Sequence, residues 1–194
     1  MRLTRTYIDA PLSVGLTLTL PELASGHLVR VLRLGVDDEC VLFNGDGYDY
    51  PARLVSISKR GVTAEVHGCT ALDNESPLRL VLAQGIARGE KMDWVLQKAT
   101  ELGVSGVVPL VTDRTEVRLD GERADKRLAH WRGVVASACE QCGRARLPEV
   151  SEPRALAQWA ASLPVDAQRY ALDPEGSESI PGIAPGGDAP VFLV

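Results

Sequence analysis

The sequence has no long apolar run. No hydrophobic stretch approaches the roughly eighteen residues that a membrane-spanning helix needs. The N-terminal segment MRLTRTYIDAP also lacks the apolar core of a secretory signal. We therefore expect a cytoplasmic protein that makes no membrane contact. Apolar residues make up 45% of the 194 positions, which is enough for one large globular core or two small ones.

Cysteine and histidine are scarce. Four cysteines in a chain without a secretory signal do not indicate a disulfide framework. The three histidines lack the spacing of metal ligands, so we expect no metal site. Cys139 and Cys142 have a C-x-x-C spacing, but they lie late in a predicted helix, whereas a thioredoxin-type pair lies at a helix N-terminus. A small α/β redox protein is therefore a remote alternative.

The net charge is −5, which by itself argues against a nucleic-acid partner. Most of the excess acidic residues lie in the C-terminal part of the sequence, however. Residues 1–72 hold 7 basic and 8 acidic side chains, residues 73–150 hold 12 of each, and residues 151–194 hold 2 and 6. Arg30 lies near Arg33, and Arg144 near Arg146. Such local clusters, rather than the total charge, decide whether a protein binds phosphate.

The first part of the chain is predicted to be β structure with one helix. Short β-prone runs alternate with turns such as Asn44-Gly45-Asp46-Gly47, which favours a small barrel or sandwich. The helix should begin near Pro21. Its predicted apolar face consists of Leu23, Leu28, Val31 and Leu32. The polar segment Ala71–Pro77 predicts a boundary between a first domain, 1–72, and a second, 73–194.

Strands and helices alternate in the second part, which predicts an α/β domain with a mainly parallel sheet. One predicted helix follows the strand Leu78–Ala83, and a longer one runs from a cap at Asp120 to about Cys142. The predicted inward faces are Met92, Val95, Leu96, Ala99 and Leu102 in the first helix, and Leu128, Trp131, Val135 and Ala138 in the second. Trp94 is predicted to be partly buried, and Ile180–Pro190 to be a loop.

The stretch 84–104, QGIARGEKMDWVLQKATELGV, is the best candidate for a site. It joins a strand end to a helix start, where backbone N–H groups can meet a phosphate or a base edge. Arg88 and Lys91 add positive charge there and are RNA-binding candidates. Lys98 and Glu101 are substrate-site candidates, although their i, i+3 spacing also fits an ordinary exposed ion pair.

A second candidate segment is Glu140–Arg144, EQCGR, at a predicted helix end. Glu140 and Gln141 are substrate-site candidates, and Arg144 is an RNA-binding candidate because its planar guanidinium suits phosphate. The alternatives are structural: Arg144 at the negative end of the helix dipole, or an i, i+4 pair with Glu140. In the first domain, Arg30 and Arg33 are predicted to share a helix face. Together with Arg5 and His27, they are candidates for holding an RNA backbone.

These motifs together resemble the RsmE family, the 16S ribosomal RNA uridine-N3 methyltransferases of the SPOUT superfamily. The resemblance rests on the order of its pieces over nearly the whole sequence. They are His27–Arg33, Phe43-Asn44-Gly45, Gln84–Val104 with its Lys98–Val104 string, Pro109, Arg114, Trp131 and Glu140–Arg144. Cys142 stands where the family usually has serine, and Arg88 where it often has lysine.

The resemblance implies a PUA-like N-terminal barrel that helps to hold RNA, and an α/β domain with a deep trefoil knot that binds S-adenosylmethionine. It also implies a homodimer that acts on 16S rRNA in the small ribosomal subunit. The family's glycine-rich cofactor loop would begin directly after Val194, so we expect a truncated chain with an incomplete knot and weak or no cofactor binding. Catalytic and cofactor-contacting residues cannot be named. The leading alternative is an RNA-binding module without catalysis.

Overall fold

A computed structural model describes residues 3–113, 115, 121–165, 167–173, 175–176 and 190–194. The chain divides into two compact units. The first comprises Met1–Asn74 together with Cys139–Leu147, and the second comprises Glu75–Ala138 together with Pro148–Val194. Residues 139–147 thus pack with the first unit, although they follow the predicted boundary at residue 72 by more than sixty positions.

The first unit is built on a six-stranded sheet. Its strands are β1 (Arg5–Tyr7), β2 (Thr17–Thr19), β3 (Glu39–Phe43), β4 (Tyr48–Ser58), β5 (Gly61–Val66) and β6 (Thr70–Ala71). The order is β1-β3-β4-β5-β2, with β6 paired to β4. The β1–β3 pair is parallel and the others are antiparallel. The β structure predicted for this region is therefore confirmed.

Alternation along the long strand β4 explains the core of the first unit. Tyr50, Ala52 and Leu54 point inward, and their neighbours point outward. The β4–β5 register shifts between Leu54 and Ser56, a bulge that bends the hairpin. The buried core also draws on β3, β5, the helical segment and the residue after β1, and includes Ile8, Leu28, Leu42, Ala64 and Val66.

The helix of the first unit is irregular. α1 (Glu22–Gly26) passes directly into a π-helical turn, His27–Val31, in which the Leu32 N–H donates to the His27 carbonyl at 3.0 Å. This wider turn changes the phase of the helix, so the predicted apolar face is wrong at three of its four positions. Leu28 is fully buried, but Leu23 is 90% exposed, and Val31 and Leu32 are also exposed.

The second unit contains an all-parallel sheet. Its strands are β7 (Leu80–Gly85), β8 (Gly106–Val111), β9 (Glu149–Val150), β10 (Arg154–Ala155), β11 (Gln168–Tyr170) and β12 (Val191–Leu193). The order is β10-β8-β7-β12-β11, with β9 also paired to β8. Every pairing among the described residues is parallel, and strand–helix alternation had predicted a mainly parallel sheet.

Three helices accompany this sheet: α2 (Glu90–Glu101), α3 (Gly121–Cys142) and α4 (Leu156–Ser162). One side of the core packs Met92 and Leu96 of α2 with Leu128, Trp131 and Val135 of α3. The predicted inward face of α3 is confirmed, since Ala138 is buried as well. Asp120, the predicted cap, and most of the predicted loop Ile180–Pro190 lie outside the described residues.

Two predicted core positions of α2 are wrong. Leu102 is 86% exposed because α2 ends at Glu101 and the chain turns at Gly103, whose φ is +92°. Trp94 is 62% exposed because it lies on the side of α2 opposite Met92 and Leu96. Within the described residues, no helix is long and apolar enough to cross a membrane.

Candidate functional site

A pocket of about 250 Å³ in the first unit brings four predicted residues together: Arg5 of β1, His27, Glu140 and Gln141. His27 comes from the π-helical turn, and Glu140 and Gln141 come from the end of α3, more than a hundred residues later. The other lining residues are Leu3, Thr4 and Leu32. The sequence therefore identified the polar groups of this pocket, but nothing in it indicated that they would share one cavity.

The polar side chains of the pocket differ in burial and in whether an internal hydrogen bond holds them. Glu140 is half-buried and its Oε1 accepts the Tyr7 N–H at 2.9 Å, which fixes the carboxylate against β1. His27 and Gln141 are exposed. An amide, an imidazole and a carboxylate offer both donors and acceptors, which suits a ligand with a mixed hydrogen-bonding edge such as a nucleobase.

Arg5 lines this pocket, and its guanidinium forms hydrogen bonds to several neighbouring segments. Its Nη2 donates to Asp49 Oδ1 at 2.6 Å and its Nη1 to the Cys139 carbonyl at 2.8 Å. A further bond reaches the Arg144 carbonyl at 3.2 Å, and the guanidinium lies 4.4 Å from the centre of the Phe43 ring. Arg5 is 8% exposed. This side chain ties β1 to β4 and to the end of α3, and its predicted RNA contact stays a prediction.

Arg144, another RNA-binding candidate, is also buried. It is 7% exposed, and the chain turns just before it at Gly143, whose φ is +91°. A side chain so deeply enclosed does not reach an RNA phosphate in this conformation. Cys139, one of the two candidate redox thiols, is buried as well, and its thiol donates to the Arg146 carbonyl at 3.7 Å.

The two arginines after the pocket histidine are exposed, but they do not share a helix face as predicted. The π-helical turn ends at Val31, and Arg33 takes a left-handed backbone conformation with φ +60°. The Arg30 guanidinium folds back over Gly26, 2.9 Å from where a Cβ would lie on that glycine. Arg30 is therefore carried by the π-helical turn, whereas Arg33 is carried by a residue in the left-handed conformation after it.

The second group of candidates surrounds the β7–α2 loop in the second unit. The Ile86 N–H donates to the Leu110 carbonyl at 2.9 Å, which extends the β7–β8 pairing past the strand end. Gly89 precedes α2 with φ +62°, a conformation that glycine adopts without strain. Arg88 and Lys91 are exposed at this helix start. Lys98 and Glu101 form an ion pair of 2.7 Å, as their spacing allowed.

The carboxyl ends of the parallel strands define where a cofactor would lie. From β7 the chain passes to β8 on one side, whereas β11 and β12 lie on the other side. The sheet order therefore reverses between β7 and β12, at Gly85 and Leu193, and ligands of open α/β sheets bind at such a point. Beside it, the Thr112 N–H donates to the Thr115 hydroxyl at 2.9 Å. No group of three or more potential metal ligands occurs among the described residues.

Comparison with known proteins identifies the family. The model of the RNA methyltransferase domain matches residues 74–191, and that of the RNA methyltransferase PUA domain matches residues 24–66. A solved structure of ribosomal RNA small subunit methyltransferase E from Neisseria gonorrhoeae, bound to S-adenosyl methionine, is 38% identical. It covers 99% of this chain and 79% of its own, with a TM-score of 0.90. The chain belongs to the RsmE family of RNA methyltransferases.

Curated relatives carry the same family name. The match to the Bacillus subtilis enzyme is 32% identical over 132 residues, which is 68% of this chain and 52% of that protein. The chain therefore spans about half the length of this relative. The match to the Buchnera aphidicola (Schizaphis graminum) protein is 27% identical and covers 92% of this chain and 73% of that one. The PUA-like β unit and the α/β unit with its parallel sheet confirm the predicted fold class.

Proposed function

We propose that the protein transfers a methyl group from S-adenosylmethionine to N3 of a uridine in 16S rRNA of the small ribosomal subunit. The observation that carries this proposal is the family match. The PUA-domain model matches residues 24–66 of the first unit, and the RNA methyltransferase model matches residues 74–191, which include most of the α/β unit. The pocket with His27, Glu140 and Gln141 adds a chemical reason, because its donors and acceptors suit the edge of uracil.

The residues at the carboxyl ends of β7 and β8 fit one side of a nucleoside cofactor. Gly85 has no side chain at the point where the sheet order reverses, and a Cβ there would stand 3.9 Å from Thr112 Cγ2. The Thr112 and Thr115 hydroxyls, 3.1 Å apart, supply neutral hydrogen-bonding groups. Gly85 and Thr112 would border the cofactor, whose sulfonium supplies an electrophilic methyl group when it is bound.

The protein must also position the uridine and help to remove its N3 proton or stabilise the resulting anion. Alignment of nucleophile and methyl group supplies much of the rate effect in an in-line displacement. Glu140 is held by the Tyr7 N–H, so the pocket presents a fixed acceptor beside the exposed His27 and Gln141 groups. Burial raises the pKa of the Tyr7 phenol above its ordinary value of 10, and Asp9 raises it further.

The protein acts in the cytoplasm as a homodimer in this proposal, as the family resemblance implies. The decisive test uses small ribosomal subunits from cells that lack the gene, incubated with the whole protein and methyl-labelled cofactor. We expect label in 16S rRNA, and mass spectrometry of the digested RNA to locate it on N3 of one uridine. Unlabelled rRNA would refute the proposal. Sedimentation of the same protein measures whether it is dimeric.

The second candidate function is an RNA-binding module without catalysis. It is favoured by the separate compactness of the first unit, which carries the PUA match. This alternative predicts salt-dependent RNA binding with no methyl transfer under the same conditions.

A further inference from the structure

The first unit contains a second concavity that is larger than the pocket described above. This groove, of about 520 Å³, runs between the α1–π-helical segment and the β4–β5 hairpin. Leu20, Val29 and Val62 form its apolar base. Its basic side chains are Arg30 on the helical wall and Lys59 and Arg60 at the tip of the hairpin. We call it the basic groove.

The charge of the basic groove is positive and uncompensated. Three cations line it against a single carboxylate, Glu22. Arg30, Lys59 and Arg60 are all exposed, and within the described part of the chain none of them forms an ion pair. An unpaired cation at the mouth of a groove attracts anions from solution, since no internal partner competes for it.

The backbone of the groove is held in place by its own hydrogen bonds. Ser58 Oγ donates to the Gly61 carbonyl at 3.3 Å and accepts the Arg60 N–H at 3.2 Å. Gly61 has φ +137°, which a residue with a side chain adopts only with strain. Across the groove, Ser25 Oγ donates to the Leu20 carbonyl at 3.1 Å. The Ser25 and Ser58 hydroxyls are thus occupied by internal hydrogen bonds, whereas no ion pair among the described residues occupies the three cations.

The lining residues also indicate which part of a nucleic acid the groove contacts. Among the described residues that line it there is no aromatic side chain, so the lining offers no surface on which a base would stack. Flexible cations on two facing walls suit a chain of phosphates, whose recognition is independent of sequence. We propose that the basic groove binds the sugar–phosphate backbone of the substrate RNA through Arg30, Lys59 and Arg60. This inference rests on the proposed function and adds a second RNA contact to it.

The test measures RNA affinity against salt concentration in the absence of cofactor. A fluorescent single-stranded fragment of 16S rRNA and an unrelated RNA of equal length serve as probes for the whole protein. The variant carries Arg30→Gln, Lys59→Gln and Arg60→Gln. Each lost phosphate contact should lower the slope of log affinity against log salt by about 0.7 to 1. We therefore expect the slope to fall by about two to three, equally for both RNAs.

The matched control removes three other charges, with Arg123→Gln, Lys126→Gln and Arg127→Gln in α3. These positions are solvent-facing or partly so, and Lys126 is 3.6 Å from Glu122. Their loss should leave the slope nearly unchanged. Cofactor affinity and thermal unfolding of the groove variant, both expected to match wild type, show that it is folded.

Several results would overturn the inference. An unchanged slope in the groove variant, or a loss confined to one of the two RNAs, would contradict a backbone contact. Binding to phosphatidylserine vesicles but not to RNA would assign the groove to a membrane instead. Each of these results leaves the methyltransferase proposal intact if wild type still methylates rRNA. A wild-type protein that binds neither RNA would overturn the groove inference, and methylation of small subunits by the same protein decides the methyltransferase proposal separately.

Discussion

Arg5 and Asp49 are joined by a 2.6 Å bond from Nη2 to Oδ1, with only 5% of the arginine side chain and 17% of the aspartate side chain exposed. The pair joins β1 to β4, strands that lie on either side of β3. The same guanidinium also donates to the carbonyls of Cys139 and Arg144. One side chain thus fixes the residues that carry Glu140 and Gln141 against the sheet of the first unit.

Replacing Arg5 with alanine should strongly destabilise the protein. The change leaves Asp49 buried without its partner and two carbonyls without a donor, and breaking such a buried pair costs about 3–5 kcal/mol. Denaturant unfolding measures the loss. Arg53→Ala is the matched control, because Arg53 pairs with Glu39 on the surface and its side chain is 52% exposed. That control should cost at most about 1 kcal/mol, and equal losses in the two variants would contradict the role given to Arg5.

Two glycines should respond in opposite directions to alanine. Gly133 lies exposed inside α3, with no atom within 4 Å of an added Cβ, so Gly133→Ala should stabilise the protein by about 0.5–1 kcal/mol. Gly103 ends α2 with φ +92°, and its Cβ would lie 3.2 Å from the Cβ of Ser76. Gly103→Ala should therefore destabilise by about 1–2 kcal/mol. Thermal or denaturant unfolding measures both, and a gain at both positions would contradict the left-handed turn.

Two tryptophans of the second unit provide another contrast. Trp131 is 1% exposed in the core between α2 and α3, so Trp131→Ala should cost about 3–5 kcal/mol of unfolding free energy. Trp94 lies on the exposed side of α2, and Trp94→Ala should change stability by no more than about 0.5 kcal/mol. Denaturant unfolding of both variants is the measurement. A large loss for Trp94→Ala would show that this ring is covered in solution.

Glu39 should make folding depend on pH in the acid range. Hydrogen bonds from His67 at 2.6 Å and Arg53 at 2.9 Å lower the pKa of this carboxyl below its ordinary value of 4.5, despite its partial burial. A lowered folded-state pKa contributes stability that is complete above pH 4.5 and is lost as pH falls through the lowered pKa. The stability of Glu39→Gln should therefore fall less steeply below pH 4.5.

Unfolding curves at a series of pH values test this dependence. Glu152→Gln serves as the control, because Glu152 is an exposed carboxyl outside this cluster. If Glu39→Gln and wild type lose stability in parallel on acidification, the His67 and Arg53 contacts do not hold the carboxyl ionised. The effect should be modest because all three side chains are partly exposed, which screens their interaction.

The fold was predictable where local pattern and tertiary packing agree. Strand–helix alternation predicted the parallel sheet, and helical spacing predicted the buried face of α3. The phase of the first-unit helix was not predictable, because the π-helical turn at His27–Val31 breaks the 3.6-residue spacing on which the prediction rested. The two-residue strands β9 and β10 are too short to leave a pattern.

The candidate site shows the same division. Residue type and family resemblance identified His27, Glu140 and Gln141, yet only the tertiary structure brings them to one pocket. Arg5 looked like a solvent-facing charge because its partner Asp49 lies 44 residues away and no local spacing links them. Lys59 and Arg60 stand in a hairpin turn, where sequence alone favours ordinary surface charge, and only the facing position of Arg30 makes them part of a groove.

The pocket of the first unit leads to a prediction about activity. His27→Ala and Gln141→Ala each remove an exposed polar group that we expect to contact the target nucleotide, while Arg5 and Glu140 keep their structural bonds. Loss of one such hydrogen bond costs about 1–2 kcal/mol, so kcat/KM for rRNA should fall roughly 5- to 30-fold, with cofactor affinity unchanged. Steady-state methylation of small subunits measures this.

His67→Ala is the matched control for the pocket histidine, because His67 is also exposed in the first unit but does not line the pocket. Its kcat/KM at neutral pH should equal that of wild type. If His27→Ala and Gln141→Ala also retain wild-type kcat/KM, singly and together, the pocket does not contact the substrate. A fall in cofactor affinity instead would indicate that these residues act on the α/β unit. A double variant whose loss is smaller than the sum of the single losses would indicate that the two side chains hold the same nucleotide.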